Sequence, residues 1–405
     1  MKKPNTMAHF HPAQEIQNLQ FFGEFGGVNP SIEDSSTYTF LQASRMSELF
    51  EKEIEGCYLY SRHMNPTNRY LAQALAAMEK TESALVTASG MGAITCTLLQ
   101  LCGAGDEIVA SRVIYGGTYA FLKNVASRWG IKTTFIDFRD PELIESAITE
   151  RTRVVYCEVM SNPLLELADL EKISSICRKH RVKLVVDNTF TPLMVSPSLW
   201  GADVVIHSLT KFINGTSDTV AGTICASHDF IHQLTDVNNG MLMLLGPVMD
   251  SLRSASVLKN LHSLSVRMMK HSANALHIAQ RLSEAGMKVI YPGLESHPQH
   301  ELAKKLFRPE YGFGGMVVLD VGTREKSFAL MEEMQNQNIG YLAVSLGFYK
   351  TLFSSPGAST SSEIPEEERK AIGLTDGLIR MSIGLDHDPE HTFQKIRKCV
   401  ERIGI

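Results

Sequence analysis

Lys211 follows a β-branched, apolar run, Ala202 to Ile206, with His207, Ser208, Leu209 and Thr210 between them. The run has the make-up of a buried strand, and the Gly and Ser residues further on mark a loop, so the lysine sits at a strand mouth. Ser208 and Thr210 precede it by three and one positions. An amine suits a Schiff base and hydroxyls suit a phosphate, the combination that pyridoxal phosphate requires. On these residues alone, a solvated lysine at a strand end is the commoner account of Ser-x-Thr-Lys, because the pattern is short.

Three further positions shift that balance. Asp187 closes the apolar run VKLVVD, where a carboxylate is costly unless paired, and a protonated pyridine nitrogen would pair it. The simpler alternative is an aspartate that caps the turn through Asn188 and Thr189. Ser89-Gly90-Met91-Gly92 lies between a strand and a helix, where free N–H groups and the helix dipole favour an anion and glycine allows close approach. Tyr115 ends the next strand-loop on the same edge, where a phenol could stack on a flat ring. Neither GxGxxG nor GxxxxGK[ST] occurs, which argues against simple dinucleotide and nucleotide-hydrolase readings.

The elements that must position these residues alternate. Strands are expected at Ala84–Thr87, Glu107–Ser111, Thr133–Ile136, Arg153–Met160, Val182–Asp187 and Ala202–Ile206. Helices are expected at Asn68–Lys80, from Ser89 to about Leu101, and at Gly117–Arg128, Pro141–Ile148 and Asp169–His180. This alternation predicts a doubly wound α/β domain with a mostly parallel sheet, which binds ligands at its carboxyl edge. One long helix, Ser251–Glu284, then leads into a smaller α+β unit with strands at Lys288–Tyr291, Gly315–Asp320 and Ile379–Ile383 and helices at Glu325–Gln337 and Pro389–Ile403. The resulting divisions are an arm over 1–65 that packs on a neighbouring subunit, a cofactor domain over 66–258 and a C-terminal domain over 259–405.

With 405 residues and a net charge of −5, the chain suits about two to three domains and gives no reason to expect a nucleic-acid or membrane partner. Its start lacks a secretory apolar core, and no stretch is long and apolar enough to span a bilayer, so a soluble, cytoplasmic protein is expected. Seven scattered cysteines without a Cys-x-x-Cys pair fit reduced core thiols. His387 and His391 have zinc-like spacing, but Pro389 between them reads better as a capped helix start, and no metal is expected. The Met-rich segment Arg267–His271 reads as core at helical spacing.

From the arm to Leu385 the chain resembles the Cys/Met-metabolism family of PLP-dependent enzymes. The resemblance is carried by YSRHMNPT (60–67), ASGMGAI (88–94), IYGGTY (114–119), VVDNTFTP (185–192), HSLTKFINGTSD (207–218), VRMMKHSANA (266–275), AVSLG (343–347) and GLIRMSIGL (377–385). It implies the aspartate aminotransferase-like PLP-dependent transferase fold (fold type I), with Lys211 bonded to pyridoxal 5'-phosphate and Asp187 on its pyridine nitrogen. It also implies that Gly90, Met91, Ser208 and Thr210 hold the phosphate, Tyr115 stacks on the ring and Asn162 approaches the cofactor hydroxyl. Arg380, helped by Ser345, would clamp the substrate carboxylate. Tyr60 and Arg62 would reach the phosphate of a neighbouring subunit, which implies a homodimer at least and a homotetramer by family.

Within the family, enzymes acting on cystathionine usually carry Glu where this chain has Val344, and valine suits an apolar thioether tail. Sulfhydrylases on acetylated homoserine tend to have Asn-Val-Gly in place of Ser345-Leu346-Gly347. Bacterial methionine γ-lyases place Cys at the position of Gly117, whereas the plant-type enzymes share the glycine and look similar at 22–35, 242–247 and 291–302. Lys350 stands where the family is often acidic. The resemblance therefore implies α,γ-elimination of L-methionine to methanethiol, 2-oxobutanoate and ammonia. Lys211 would act as base and Tyr115 as the acid for the departing thiolate. The alternatives are cystathionine γ-lyase, γ-synthase or O-acylhomoserine sulfhydrylase chemistry on the same scaffold, or a non-catalytic PLP-binding protein.

Overall fold

A computed structural model describes residues 10–51, 56–359 and 364–405. The start read above as lacking a secretory core falls largely outside these residues, as do 52–55 of the expected arm and 360–363 of the expected C-terminal domain. The alternating segments form a seven-stranded sheet in the order β1-β7-β6-β5-β4-β2-β3. Its strands are β1 (Ser83–Thr87), β2 (Glu107–Ser111), β3 (Lys132–Ile136), β4 (Thr152–Glu158), β5 (Lys183–Asp187), β6 (Val204–Ser208) and β7 (Gly222–Ala226). Strands β3, β2, β4, β5 and β6 pair in parallel, and β7 runs antiparallel between β6 and β1.

The period-2 alternation of these strands buries both faces. Val109, Val155, Val186 and Val205 join one apolar cluster, while Ile108, Val154, Val185 and Ile206 join the other. Near-continuous apolar strands are what a parallel sheet covered on both sides requires. The Pro66–Glu79 helix starts where Asn65 accepts hydrogen bonds from the Thr67 and Asn68 N–H groups, with Pro66 in its first turn. A second sheet of five strands has the order β10-β11-β12-β9-β8, from β8 (Lys288–Ile290), β9 (Met316–Asp320), β10 (Gly340–Leu342), β11 (Thr351–Ser354) and β12 (Leu378–Ser382).

Four expectations change. The long Ser251–Glu284 helix is two helices, Ser251–Leu261 and Leu264–Glu284. The carbonyl of Asn260 takes the Ser263 hydroxyl and the Arg267 guanidinium, both at 3.0 Å, so side chains compete with the helix ladder at the break. Gly117–Arg128 is one α-turn, a π-helical turn and a 3₁₀ turn rather than one helix. β7 was not foreseen, because Gly222 and Ala226 blunt its strand pattern. In the Met-rich segment Met268 is buried as expected, but Met269 is exposed. At the His387–His391 pair, the Asp388 side chain accepts the His391 N–H at 3.0 Å and caps the Pro389–Ile403 helix. Six cysteines are buried, Cys57 is exposed, and all seven are free. Among the described residues no helix is long and apolar enough to cross a membrane.

Candidate active site

Asp187, Ser208 and the loop carrying Lys211 leave the carboxyl edge of the large sheet side by side, because β5 and β6 are parallel and in register from Val185 and Val204 onward. They open on a cavity of about 270 Å³. Gly90, Met91, Tyr115, Asn162, Asp187, Ser208, Thr210, Lys211, Val344 and Arg380, all singled out from the sequence, line it. Ser345 is brought in by the Lys211 ammonium, which donates to its hydroxyl at 3.2 Å. Gly117 lies against the Tyr115 ring, where an added Cβ would stand 2.5 Å from the ring carbon Cε1.

Tyr60 and Arg62 do not line this cavity. Arg62 borders a separate groove of about 820 Å³ and donates to the Met243 carbonyl at 2.7 Å. Its guanidinium lies 5.7 Å from the centre of the Tyr60 ring. Lys350 likewise stands outside the cavity, with its ammonium 4.9 Å from the Tyr341 ring centre.

Side chains from both sheets hold the cavity floor. Arg380 on β12 is buried and donates to Asn162 Oδ1 at 2.8 Å and to the Ser354 hydroxyl at 3.4 Å. Burial lowers its guanidinium to about 10, against the pull of Tyr115 and Glu158. Burial, and then the positive charge of Arg380, brings the Lys211 ammonium down to about 8. The lowered value brings the neutral amine, which condensation with an aldehyde needs, closer to physiological pH. Asp187 accepts the Thr189 N–H at 2.9 Å. Burial raises its carboxyl, and Thr189 and the charge of His207 draw it back. The Thr189 hydroxyl accepts the Ser208 N–H at 2.8 Å, which ties the ends of β5 and β6 together.

The sequence reading missed Glu158. It accepts the Tyr115 N–H at 2.6 Å on one oxygen and the Asn162 N–H at 2.8 Å on the other. It faces Asp187 across the β4–β5 ladder. Burial and the Asp187 charge push its carboxyl up, against those two N–H groups. The available signal was the one used for Asp187, a carboxylate that closes an apolar strand. Extending β4 to Met160 hid it inside the run. Ile94, Phe190, Val220 and Leu346 also line the cavity and were not foreseen.

These residues fit pyridoxal phosphate. An added Cβ on Gly90 would meet the Ser208 Cβ at 2.8 Å, so only glycine lets this helix start reach the end of β6. The Gly90–Leu101 helix begins there, with the Ser89 hydroxyl accepting the Gly92 N–H at 2.9 Å. Its first N–H groups, with Ser208 and Thr210 beside them, form a donor set for a phosphate. Lys211 supplies the amine and Asp187 the buried carboxylate.

The chain is similar to known proteins over nearly its whole length. The family model for Cys/Met metabolism PLP-dependent enzymes matches residues 13–391. A methionine gamma-lyase of Arabidopsis thaliana is 43% identical over 399 residues, covering 97% of this chain and 90% of that protein. A cystathionine gamma-lyase of Bacillus subtilis is 38% identical over 382 residues, covering 93% and 95%. A Campylobacter jejuni crystal structure holding N'-pyridoxyl-lysine-5'-monophosphate superposes with a TM-score of 0.89 at 27% identity, covering 97% of this chain and all of that one. The fold is therefore that of the fold type I PLP enzymes, pyridoxal phosphate is the cofactor, and the chain belongs to the Cys/Met metabolism PLP-dependent enzyme family.

Proposed function

We propose that the protein is a methionine γ-lyase, a carbon–sulfur lyase that converts L-methionine to methanethiol, 2-oxobutanoate and ammonia. The observation that carries this reading is the apolar lining of the cavity. Val344, Ile94, Phe190 and Val220 border it, and its lining carboxylate is Asp187. A thioether methyl group gains from such a wall, whereas a second ammonium gains nothing.

When bound, pyridoxal phosphate supplies an electron sink for charge that develops on the substrate carbons. Gly90, Met91, Ser208 and Thr210 would hold its phosphate, Asp187 its pyridine nitrogen and Asn162 its hydroxyl, with Tyr115 against the ring. Arg380 binds the methionine carboxylate, and its guanidinium is already oriented by Asn162. Ser345 supports Lys211 and the carboxylate. Lys211, with its amine lowered by burial, takes the α-proton. Tyr115 gives its phenolic proton to the departing sulfur. The backbone N–H of Tyr115 is fixed by Glu158 while this happens.

Of the arm read over 1–65, the Pro12–Asn18 helix with Leu19 and Phe21 packs on the chain's own core, and the described residues that follow would pack on a neighbouring subunit, with 66–258 as the cofactor domain and 259–405 as the C-terminal domain. Phe25, Val28 and Leu41 on this arm are more than nine-tenths exposed in the single chain, which supports burial in a homodimer or homotetramer. Tyr60 and Arg62 then complete a neighbour's site, and the assembly works in the cytoplasm. Cystathionine γ-lyase chemistry is the second reading, favoured by the Bacillus subtilis relative.

The test gives purified enzyme L-methionine, L-cystathionine, or an O-acylhomoserine with a thiol, and follows 2-oxobutanoate and thiol release. Methanethiol and 2-oxobutanoate formed in equal amounts from methionine are expected. Cysteine from cystathionine without methanethiol from methionine overturns the assignment.

A further inference from the structure

Behind Asp187, on the other face of the large sheet, lies a second ionisable group that the reaction does not touch. His207 precedes Ser208 on β6, so its side chain points away from the cavity that Ser208 lines. It is fully buried, and its Nε2 lies 2.7 Å from Oε1 of Glu79, the last residue of the Pro66–Glu79 helix, which is also buried. The same Glu79 oxygen accepts Asn188 Nδ2 at 3.0 Å. Asn188 is the residue after Asp187, and its backbone N–H donates to the Ile206 carbonyl at 2.8 Å. One carboxylate thus grips the ends of β5 and β6, the two strands that deliver Asp187 and Ser208.

A neutral amide in place of Glu79 could make the same tie without taking an ionisable pair out of water. Such a pair is a poor source of stability, since desolvation offsets most of its attraction. Glu79 Oε2 and His207 Nδ1 add two buried polar atoms with no hydrogen-bond partner among the described residues. What the pair contributes instead is charge at a fixed place. Burial raises the Asp187 carboxyl, and after the hydrogen bonds of Thr189 the charge of His207 is what draws it back from behind the sheet. The charge of Glu79 also acts on Arg308 and Cys225, and Asp187 itself is faced by Glu158 and Tyr156.

We propose that Glu79 and His207 are positioning residues that act through Asp187, keeping it ionised and aimed at the pyridine nitrogen from behind the sheet. The proposal rests on the reading that Asp187 faces that nitrogen. It assigns Glu79 an electrostatic role beyond the packing expected of a helix C-terminus.

The test reconstitutes the full-length protein with pyridoxal phosphate and titrates the visible absorbance of the lysine-bound cofactor with pH. Glu79→Gln keeps the shape and the acceptor for Asn188 while removing the charge. His207→Gln removes the imidazole and keeps a donor for Glu79, so a result survives if one variant fails to fold. Asp187→Asn is the reference. In Glu79→Gln and His207→Gln the absorbance midpoint is expected to move in the same direction as in Asp187→Asn, by about one pH unit, with cofactor affinity weakened about tenfold. An unmoved midpoint with only a lower melting temperature makes the pair a structural tie and overturns the proposal. If Asp187→Asn itself leaves the midpoint unmoved, the reading of Asp187 fails and takes the proposal with it. Which variant is silent tells the two failures apart.

Discussion

Arg380 Nη1 and Asn162 Oδ1 are 2.8 Å apart and both residues are buried, although one stands on β12 of the small sheet and the other in the loop after β4 of the large one. The contact joins the proposed carboxylate clamp to the proposed cofactor contact across the two sheets. It also leaves the guanidinium with its orientation set before substrate arrives.

Arg380→Lys is therefore expected to be a severe change despite the retained charge. An ammonium cannot hold Asn162, Ser354 and a carboxylate in one plane. Each buried partner that the guanidinium held and the ammonium leaves unsatisfied costs about 1–3 kcal/mol. Steady-state kinetics should show the loss in kcat/KM with L-methionine, with KM raised. Asn162→Ala should give a smaller loss of the same sign, since the guanidinium remains but is less well aimed.

Lys211 sets a pH dependence that can be read without substrate. Its folded value is lowered from the ordinary lysine value to about 8, first by burial and then by Arg380. Below that value the amine is protonated and cannot condense with an aldehyde, and above it the neutral form prevails. Rapid mixing of apoprotein with pyridoxal phosphate should show a rate that rises with pH and reaches half its maximum near pH 8. An unperturbed lysine would place that midpoint beyond about pH 10. Lys211→Ala should abolish the bonded chromophore and lower turnover of methionine by roughly 10²–10⁴-fold, the range for a lost general base.

Glu158 accepts one N–H on each carboxylate oxygen, from Tyr115 and from Asn162. Glu158→Gln keeps one acceptor and turns the other position into a donor facing a donor. One backbone N–H is then stranded in a buried site, a loss of about 1–3 kcal/mol. Thermal unfolding of the apoprotein should register it as a lowered midpoint. Turnover should fall too, because the start of the Tyr115 loop loses its anchor.

Gly117 has no room for a side chain while the Tyr115 ring lies where it does, with an added Cβ only 2.5 Å from Cε1. Gly117→Ala must push the ring aside. A displacement of about 1 Å at a proton donor is enough to lower kcat roughly 10²-fold. Methionine turnover should fall accordingly, while the absorbance of the bound cofactor should be retained because Lys211 is untouched.

Legibility in the sequence followed how local each feature was. The strand-closing Asp187, the helix start at Gly90 and the lysine after β6 could be read because each needs only its own neighbours in the chain. Glu158 obeys the same rule as Asp187 and was lost to a strand boundary placed at Met160. The break at His262 depends on Ser263 and Arg267 side chains taking a helix carbonyl, a competition that hydrophobic spacing does not register. β7 owes its place to two flanking strands rather than to its own Gly-bounded sequence. The Glu79–His207 contact spans 128 positions, and no local pattern links its two ends.

Val344 gives the sharpest separation between methionine and cystathionine as substrates. It lines the cavity but is 61% exposed, so it stands at the mouth rather than the floor. Val344→Glu changes two terms with unequal weights. A carboxylate there can pair with the distal ammonium of cystathionine, but an exposed pair contributes only about 0.2–1 kcal/mol. Loss of the apolar contact with the methionine methyl group weighs more, about 1–3 kcal/mol in discrimination. The ratio of kcat/KM for cystathionine over methionine should therefore rise by roughly tenfold or more, with most of the change in the methionine arm. Raising the ionic strength should erode the gain on cystathionine and leave the loss on methionine in place, because salt screens the new pair and not the missing contact. Assays of both substrates at two salt concentrations check each part, and an unchanged ratio would remove Val344 as a specificity position.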